Sequence, residues 1–192
     1  MKKTISLICI CLICNDILSQ SFDGGLLTGL TTSQISGDNL GGFNKLGVAI
    51  GIFTQRSISE KSRLKFELSY FQKGSKNNNL NLNLNSFKLD YIDAPFYFSY
   101  LVQQNTFIQF GFHTGFLLLQ KETDNFGSNV ELRDNFNAVD FSTSLGIEYY
   151  VNNQISLNTK FSNTLFFTPI RKHASSASLW YNQGQYLSLI HI

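Results

Sequence analysis

From Arg63 to Tyr70 the chain reads Arg-Leu-Lys-Phe-Glu-Leu-Ser-Tyr, so Leu64, Phe66, Leu68 and Tyr70 alternate with Arg63, Lys65, Glu67 and Ser69. Successive side chains of a strand point to opposite faces, and strict alternation predicts a strand with one apolar and one polar face. The pattern recurs. Over Lys45 to Thr54, Leu46, Val48, Ile50 and Ile52 oppose Gly47, Ala49 and Gly51. Over Phe107 to Leu119, Ile108, Phe110, Phe112 and Phe116 oppose Gln109, Gly111, His113 and Gly115. Val139 to Tyr149 and Gln154 to Phe166 repeat it, with Phe141, Leu145 and Ile147 against Ser142, Ser144 and Glu148, and Leu157 and Phe161 against Asn158 and Lys160. Phe22 to Thr32, Phe87 to Tyr100 and a short Tyr186 to Ile192 complete about eight strands.

Within Phe87 to Tyr100 the apolar residues change parity, from Phe87, Leu89 and Tyr91 to Phe96, Phe98 and Tyr100. A one-residue slip swaps the faces, so a bulge or bend is expected near Asp93-Ala94-Pro95, where Pro95 lacks a donor. Polar, turn-rich connections are long after the first, third, fifth and seventh strands: Ser36–Gly42, Lys73–Asn79, Lys121–Asn137 and Pro169–Gln185. Those at about Gln55–Lys61, at Gln103–Asn105 and at Val151–Asn153 are shorter. Asn81, Asn83 and Asn85 alternate with Leu80, Leu82 and Leu84, which fits either a β-arm or an Asn-rich loop. No stretch carries a helical period. The expected fold is all-β: an eight-stranded antiparallel up-and-down barrel.

Composition decides which way the barrel faces. Charged residues are 15% of the chain against about 25% in soluble domains, while 18 Phe and 8 Tyr make it rich in aromatics. The polar faces are small or charge-balanced, with Arg63, Lys65 and Lys160 against Glu67, Asp93, Asp140 and Glu148. The apolar faces are bulky and almost free of charge. Such strands invert the soluble arrangement and predict a transmembrane β-barrel with a polar lumen. Eight strands leave room only for side chains, which disfavours an open pore. Tyr70, Tyr91, Tyr97, Tyr100, Tyr149 and Tyr150 fall near strand ends and are expected in aromatic girdles.

Met1–Gln20 has the basic start, short apolar run and small-residue end of a signal peptide, leaving residues 21–192 as the barrel domain. All three cysteines, Cys9, Cys11 and Cys14, lie in that segment, so the mature chain has no disulfide framework or thiolate metal site. Lipid attachment at Cys14 is the alternative, opposed by Ile13 where a lipobox has a small residue. Loss of Lys2, Lys3 and Asp16 lowers the net charge from +2 to +1, which gives no case for nucleic acid.

Several short motifs stand in a suggestive order. Glu67-Leu-Ser-Tyr70 precedes Lys73-Gly74, and Tyr91-Ile-Asp-Ala-Pro95 follows. Gly37-Asp38, Lys45-x-Gly47, Gly111 with Gly115, and Asp140-Phe141 add to them. Together they resemble the PorT-like outer-membrane β-barrel family of Gram-negative bacteria, across nearly all of the mature chain. Asp93 stands where that family usually has Glu, and Ala94 replaces a larger aliphatic. The closing Leu187–Ile192 lacks the terminal aromatic common in such barrels. The resemblance implies an outer-membrane location and a role in binding, structure or secretion.

No residue is expected to act as a catalytic, cofactor-binding or metal site. His113 with Ser142 or Ser144 and Glu148 has the composition of a hydrolytic triad, but its parity places it in the lumen. Lipid-hydrolysing barrels act at the lipid edge, so a hydrogen-bonded lumen histidine is the better reading. Glu67, Asp93, Asp140 and Glu148 fit ion pairs with lumen cations better than a metal or acid–base cluster. Arg171-Lys172-His173 and Trp180-Tyr181 fall in the last predicted loop, where they suit lipopolysaccharide or a partner as well as solvent. Gly24-Gly25 and Gly41-Gly42 lack the strand-to-helix setting of a phosphate loop. The expected function is a non-enzymatic outer-membrane barrel, with a lipid-modifying enzyme or small-solute pore as alternatives. Its expected partners are outer-membrane lipid and other envelope proteins met through the loops.

Overall fold

A computed structural model describes residues 21–36, 43–76, 86–124, 128–130, 136–165, 168–172 and 179–191; for Val130, Arg171, Lys172 and residues 179–191 it describes the backbone alone. The signal segment with Cys14, Gly37-Asp38, the Asn81–Asn85 run and His173 lie outside these residues.

Among the described residues ten strands follow in order: β1 (Asp23–Ser36), β2 (Lys45–Ser57), β3 (Ser62–Ser75), β4 (Ser86–Gln103), β5 (Thr106–Thr123), β6 (Asn129–Val130), β7 (Val139–Tyr150), β8 (Ile155–Thr164), β9 (Arg171–Lys172) and β10 (Leu179–His191). Two-residue β6 and β9 extend neighbouring strands at the long-loop end. The other eight pair antiparallel in chain order, and β10 closes on β1 from Leu26↔His191 to Ser36↔Tyr181. Closure satisfies the backbone of both terminal strands, which in lipid has no water to turn to. The last strand therefore begins at Leu179, earlier than the expected Tyr186, and Trp180 and Tyr181 belong to it rather than to a loop. Arg171 and Lys172 likewise lie in the β9–β10 ladder.

Burial alternates along every long strand whose side chains are described. Leu26, Ile50, Phe66, Leu68, Phe98, Phe110, Leu145 and Phe161 are all exposed on the outer wall. Lys65, Glu67, Lys160, Asp93, Asp140 and Glu148 are buried in the lumen. Polar side chains inside and apolar ones outside are the inverted arrangement of a membrane barrel.

β4 does not slip. Its odd-numbered residues face inward from Phe87 through Tyr97 to Ser99. Phe87, Leu89 and Tyr91 are apolar because the lumen itself is apolar at that level, packing with Ile35, Phe136, Ile170 and Leu117. The parity change is on β5 instead. Leu118 and Leu119 are both exposed, and the β4–β5 register shifts between Asp90 and Tyr91. That bulge returns Gln120 and Glu122 toward the interior. Pro95 interrupts its ladder to β3 but leaves the register unchanged, with Phe66↔Phe96 and Ser69↔Asp93 on either side. Of the tyrosines expected in girdles, Tyr91 and Tyr97 are fully buried lumen residues, whereas Tyr100 and Tyr149 are exposed on the outer wall.

Connections are short at one end: residues 58–61, 104–105 and 151–154. Asn105 has φ 65°, a left-handed position that Asn tolerates well. The four long connections leave from the other end.

Phe66 and Leu68 occupy the middle of β3 and face outward. Phe66→Arg and Leu68→Arg are each expected to cost about 2–4 kcal/mol at the bilayer midplane, and Phe66→Leu far less. Urea titration of the barrel folded into lipid vesicles measures this. Unchanged stability in both arginine variants would remove the lipid from that face.

Candidate functional site

Among the described residues polar side chains converge in the lumen, which is built in layers. Nearest the short turns, Lys65 Nζ meets Glu148 Oε1 at 2.5 Å. Gln109 Nε2 donates to Glu148 Oε2 at 2.8 Å, and Ser156 Oγ donates to Oε1 at 3.1 Å. Asn158 Nδ2 in turn donates to Gln109 Oε1 at 3.0 Å. Four strands thus meet around one carboxylate.

In the next layer Lys160 Nζ bonds Glu67 Oε1 at 2.6 Å, with both side chains fully buried. The same ammonium lies 3.8 Å from the centre of the Tyr97 ring, whose face favours a cation. Gly111 makes room for this ring, since a Cβ there would overlap Tyr97. His113 Nε2 lies 2.7 Å from Ser144 Oγ and 3.2 Å from Tyr97 Oη.

Above it, Lys73 Nζ bonds Asp93 Oδ2 at 2.7 Å and stands 3.8 Å from Asp140 Oδ2. Thr164 Oγ1 donates to Asp140 Oδ1 at 2.8 Å. Gly74 follows Lys73 with φ 144°, a conformation in which a Cβ would run into the Phe87 carbonyl. The apolar cluster of Ile35, Phe87, Leu89, Tyr91, Phe136 and Ile170 then caps the lumen beneath the long loops. Asn137 N donates to Ile170 O at 2.7 Å, tying two of those connections across the top.

Lys65 and Lys160 pair with lumen carboxylates as expected; Arg63 pairs with none among the described residues, and Asp93 and Asp140 are served instead by Lys73. Its position in β3, two residues beyond Phe71 on the inward parity, was the sequence signal for it. Lys88 and Asp90, at the long-loop end of β4, pair with each other at 3.3 Å. The His113 triad does not assemble. Ser144 is beside the ring, but Glu148 is committed to Lys65, Gln109 and Ser156, and His113 is buried in the lumen away from the outer wall. Among the described residues, no group of three or more His, Cys, Asp or Glu side chains has metal-binding geometry. The motif residues quoted from the sequence converge instead. Glu67, Lys73, Tyr91, Asp93, Gly111 and Asp140 all line this one packed column.

The model of the outer membrane protein beta-barrel domain family matches residues 5–183. No curated protein matches the chain. Among solved structures, Neisserial surface protein A aligns with a TM-score of 0.58 at 15% identity, over 90% of this chain and 99% of that one. The attachment invasion locus protein Ail of Yersinia pestis, solved with the heparin analogue sucrose octasulfate, aligns with a TM-score of 0.54 at 9% identity, over 88% of this chain and 96% of that one. At these identities the likeness concerns the fold.

Breaking a buried pair leaves an uncompensated charge, at a cost of about 3–5 kcal/mol. Glu67→Leu is therefore expected to destabilise the barrel by that order, through Lys160. Glu67→Leu combined with Lys160→Met should recover most of the loss. A double-mutant cycle of urea unfolding in vesicles measures the coupling, and additive losses would mean that the two groups do not depend on each other.

Proposed function

The chain belongs to the outer membrane protein β-barrel domain family and resides in the outer membrane of a Gram-negative bacterium, and we propose that within that setting it is a non-enzymatic, non-conducting barrel of the PorT-like kind that displays its long loops for binding. Export through Met1–Gln20 is part of this reading. The observation that carries it is the filled lumen. Three lysines and four carboxylates interlock through its height, and an apolar cluster covers them at the loop end. Such a column offers no water path for solutes. A filled barrel with its long connections gathered at one end suits a scaffold that presents a surface to envelope proteins. The PorT-like assignment is supported by the way its motif residues gather in the column.

The test has two parts. Expressed with its native leader, the protein is expected to fractionate with the outer membrane and to give no steady conductance in planar lipid bilayers. A stable single-channel current would overturn the plugged-scaffold reading. A lipid-hydrolysing activity that disappears in His113→Ala would replace it with the enzymatic one.

A further inference from the structure

The short-turn end of the barrel is not closed as the loop end is. A cavity of about 730 Å³ opens there, lined by side chains from the first strand and from all three short turns. This size lies within the range of small-molecule sites. At its wall sits Arg63, the first inward-facing residue of β3. Its guanidinium lies 4.1 Å from the centre of the Phe107 ring and 5.0 Å from that of Tyr150. The two rings meet edge to face at 5.7 Å and so form a fixed cradle. Tyr150 is held in turn by Gln55, with Oη 3.2 Å from its amide.

Arg63 differs from the lumen lysines in one respect. Lys65, Lys73 and Lys160 each have a carboxylate within 2.7 Å. Among the described residues Arg63 has none within 4.0 Å, although Asp23 and Glu60 line the same cavity and are exposed. A planar, always-charged fork held by aromatic rings and left without an acid is suited to a carboxylate brought from outside. Asp23 and Glu60, exposed on the same cavity wall, offer carboxylates to a ligand that carries an ammonium of its own. Short turns mark the periplasmic end of such barrels.

We propose that this vestibule binds a zwitterionic amino-acid or short-peptide ligand from the periplasm, with its carboxylate on Arg63 and its ammonium toward Asp23 and Glu60. The site lies at the opposite end from the display loops and does not depend on what they bind.

The test uses the full chain, expressed with its leader and purified in maltoside micelles, with backbone amide shifts as the readout. Alanyl-alanine is expected to shift the signals of Asn105 and Asn152–Gln154. Its carboxamide should bind about tenfold more weakly, equivalent to about 1.4 kcal/mol. The N-acetyl form should also weaken, and inorganic phosphate should leave those signals in place. Arg63→Gln and Arg63→Lys should both lose the preference for the free carboxylate. Unaltered heat-modifiable mobility on gels serves as the folding control. Equal binding of the dipeptide and its carboxamide to the parent protein would overturn the proposal without recourse to any variant. Absence of shifts with the dipeptide, or equal shifts with phosphate, would overturn it too.

Discussion

Lys160 and Glu67 meet at the centre of a lumen only eight strands wide, and the rest of the barrel depends on that kind of contact. Once the wall faces lipid, the polar sides of the strands have nowhere to go but inward. A charge carried there is costly unless it is paired and hydrogen-bonded. The chain meets this by stacking its pairs. Each lysine comes from one strand and its carboxylate from another: β3 to β7, β8 to β3, and β3 to β4 and β7. Apart from Lys73–Asp93, which links neighbouring strands, these pairs join strands that lie across the barrel from each other, which the backbone ladder alone cannot do.

The small residues follow from the same crowding. Gly111 lies under the Tyr97 ring, and Gly115 lies beside the Asp93 carboxylate. Large and small side chains alternate around the lumen so that rings and ammonium groups share one narrow space. Beside the ion pairs, Leu27, Ala49 and Phe71 fill the lumen with apolar contacts instead. The column is thus part salt bridge and part hydrophobic core, and its composition changes along the axis. It is apolar under the long loops, ionic in the middle, and open at the short turns around Arg63. That gradient gives the two mouths different chemistry within one closed sheet.

The sequence by itself determined the strands, their two faces and the inversion that puts the protein in a membrane. Period-two alternation depends only on how a strand places successive side chains, and local sequence carries it in full. The alternately long and short connections were legible for the same reason, as were the inward parity of Arg63, Lys65, Glu67 and Lys160 and the lumen position of His113. The tertiary structure decided what parity cannot express. Phe87, Leu89 and Tyr91 look like a shifted outer face when the lumen is assumed to be polar throughout. Only the closed barrel, with Phe136 and Ile170 brought over its mouth, makes the inner face apolar at that level. The parity change was therefore expected on β4 but occurs on β5, at Leu118 and Leu119. Tyr91 and Tyr97 were expected at the membrane interface for a related reason, since strand position alone does not say which side of the wall a ring occupies. Which lysine meets which carboxylate, and which cation is left without one, depends on strands up to about 90 residues apart in the chain being brought together by closure.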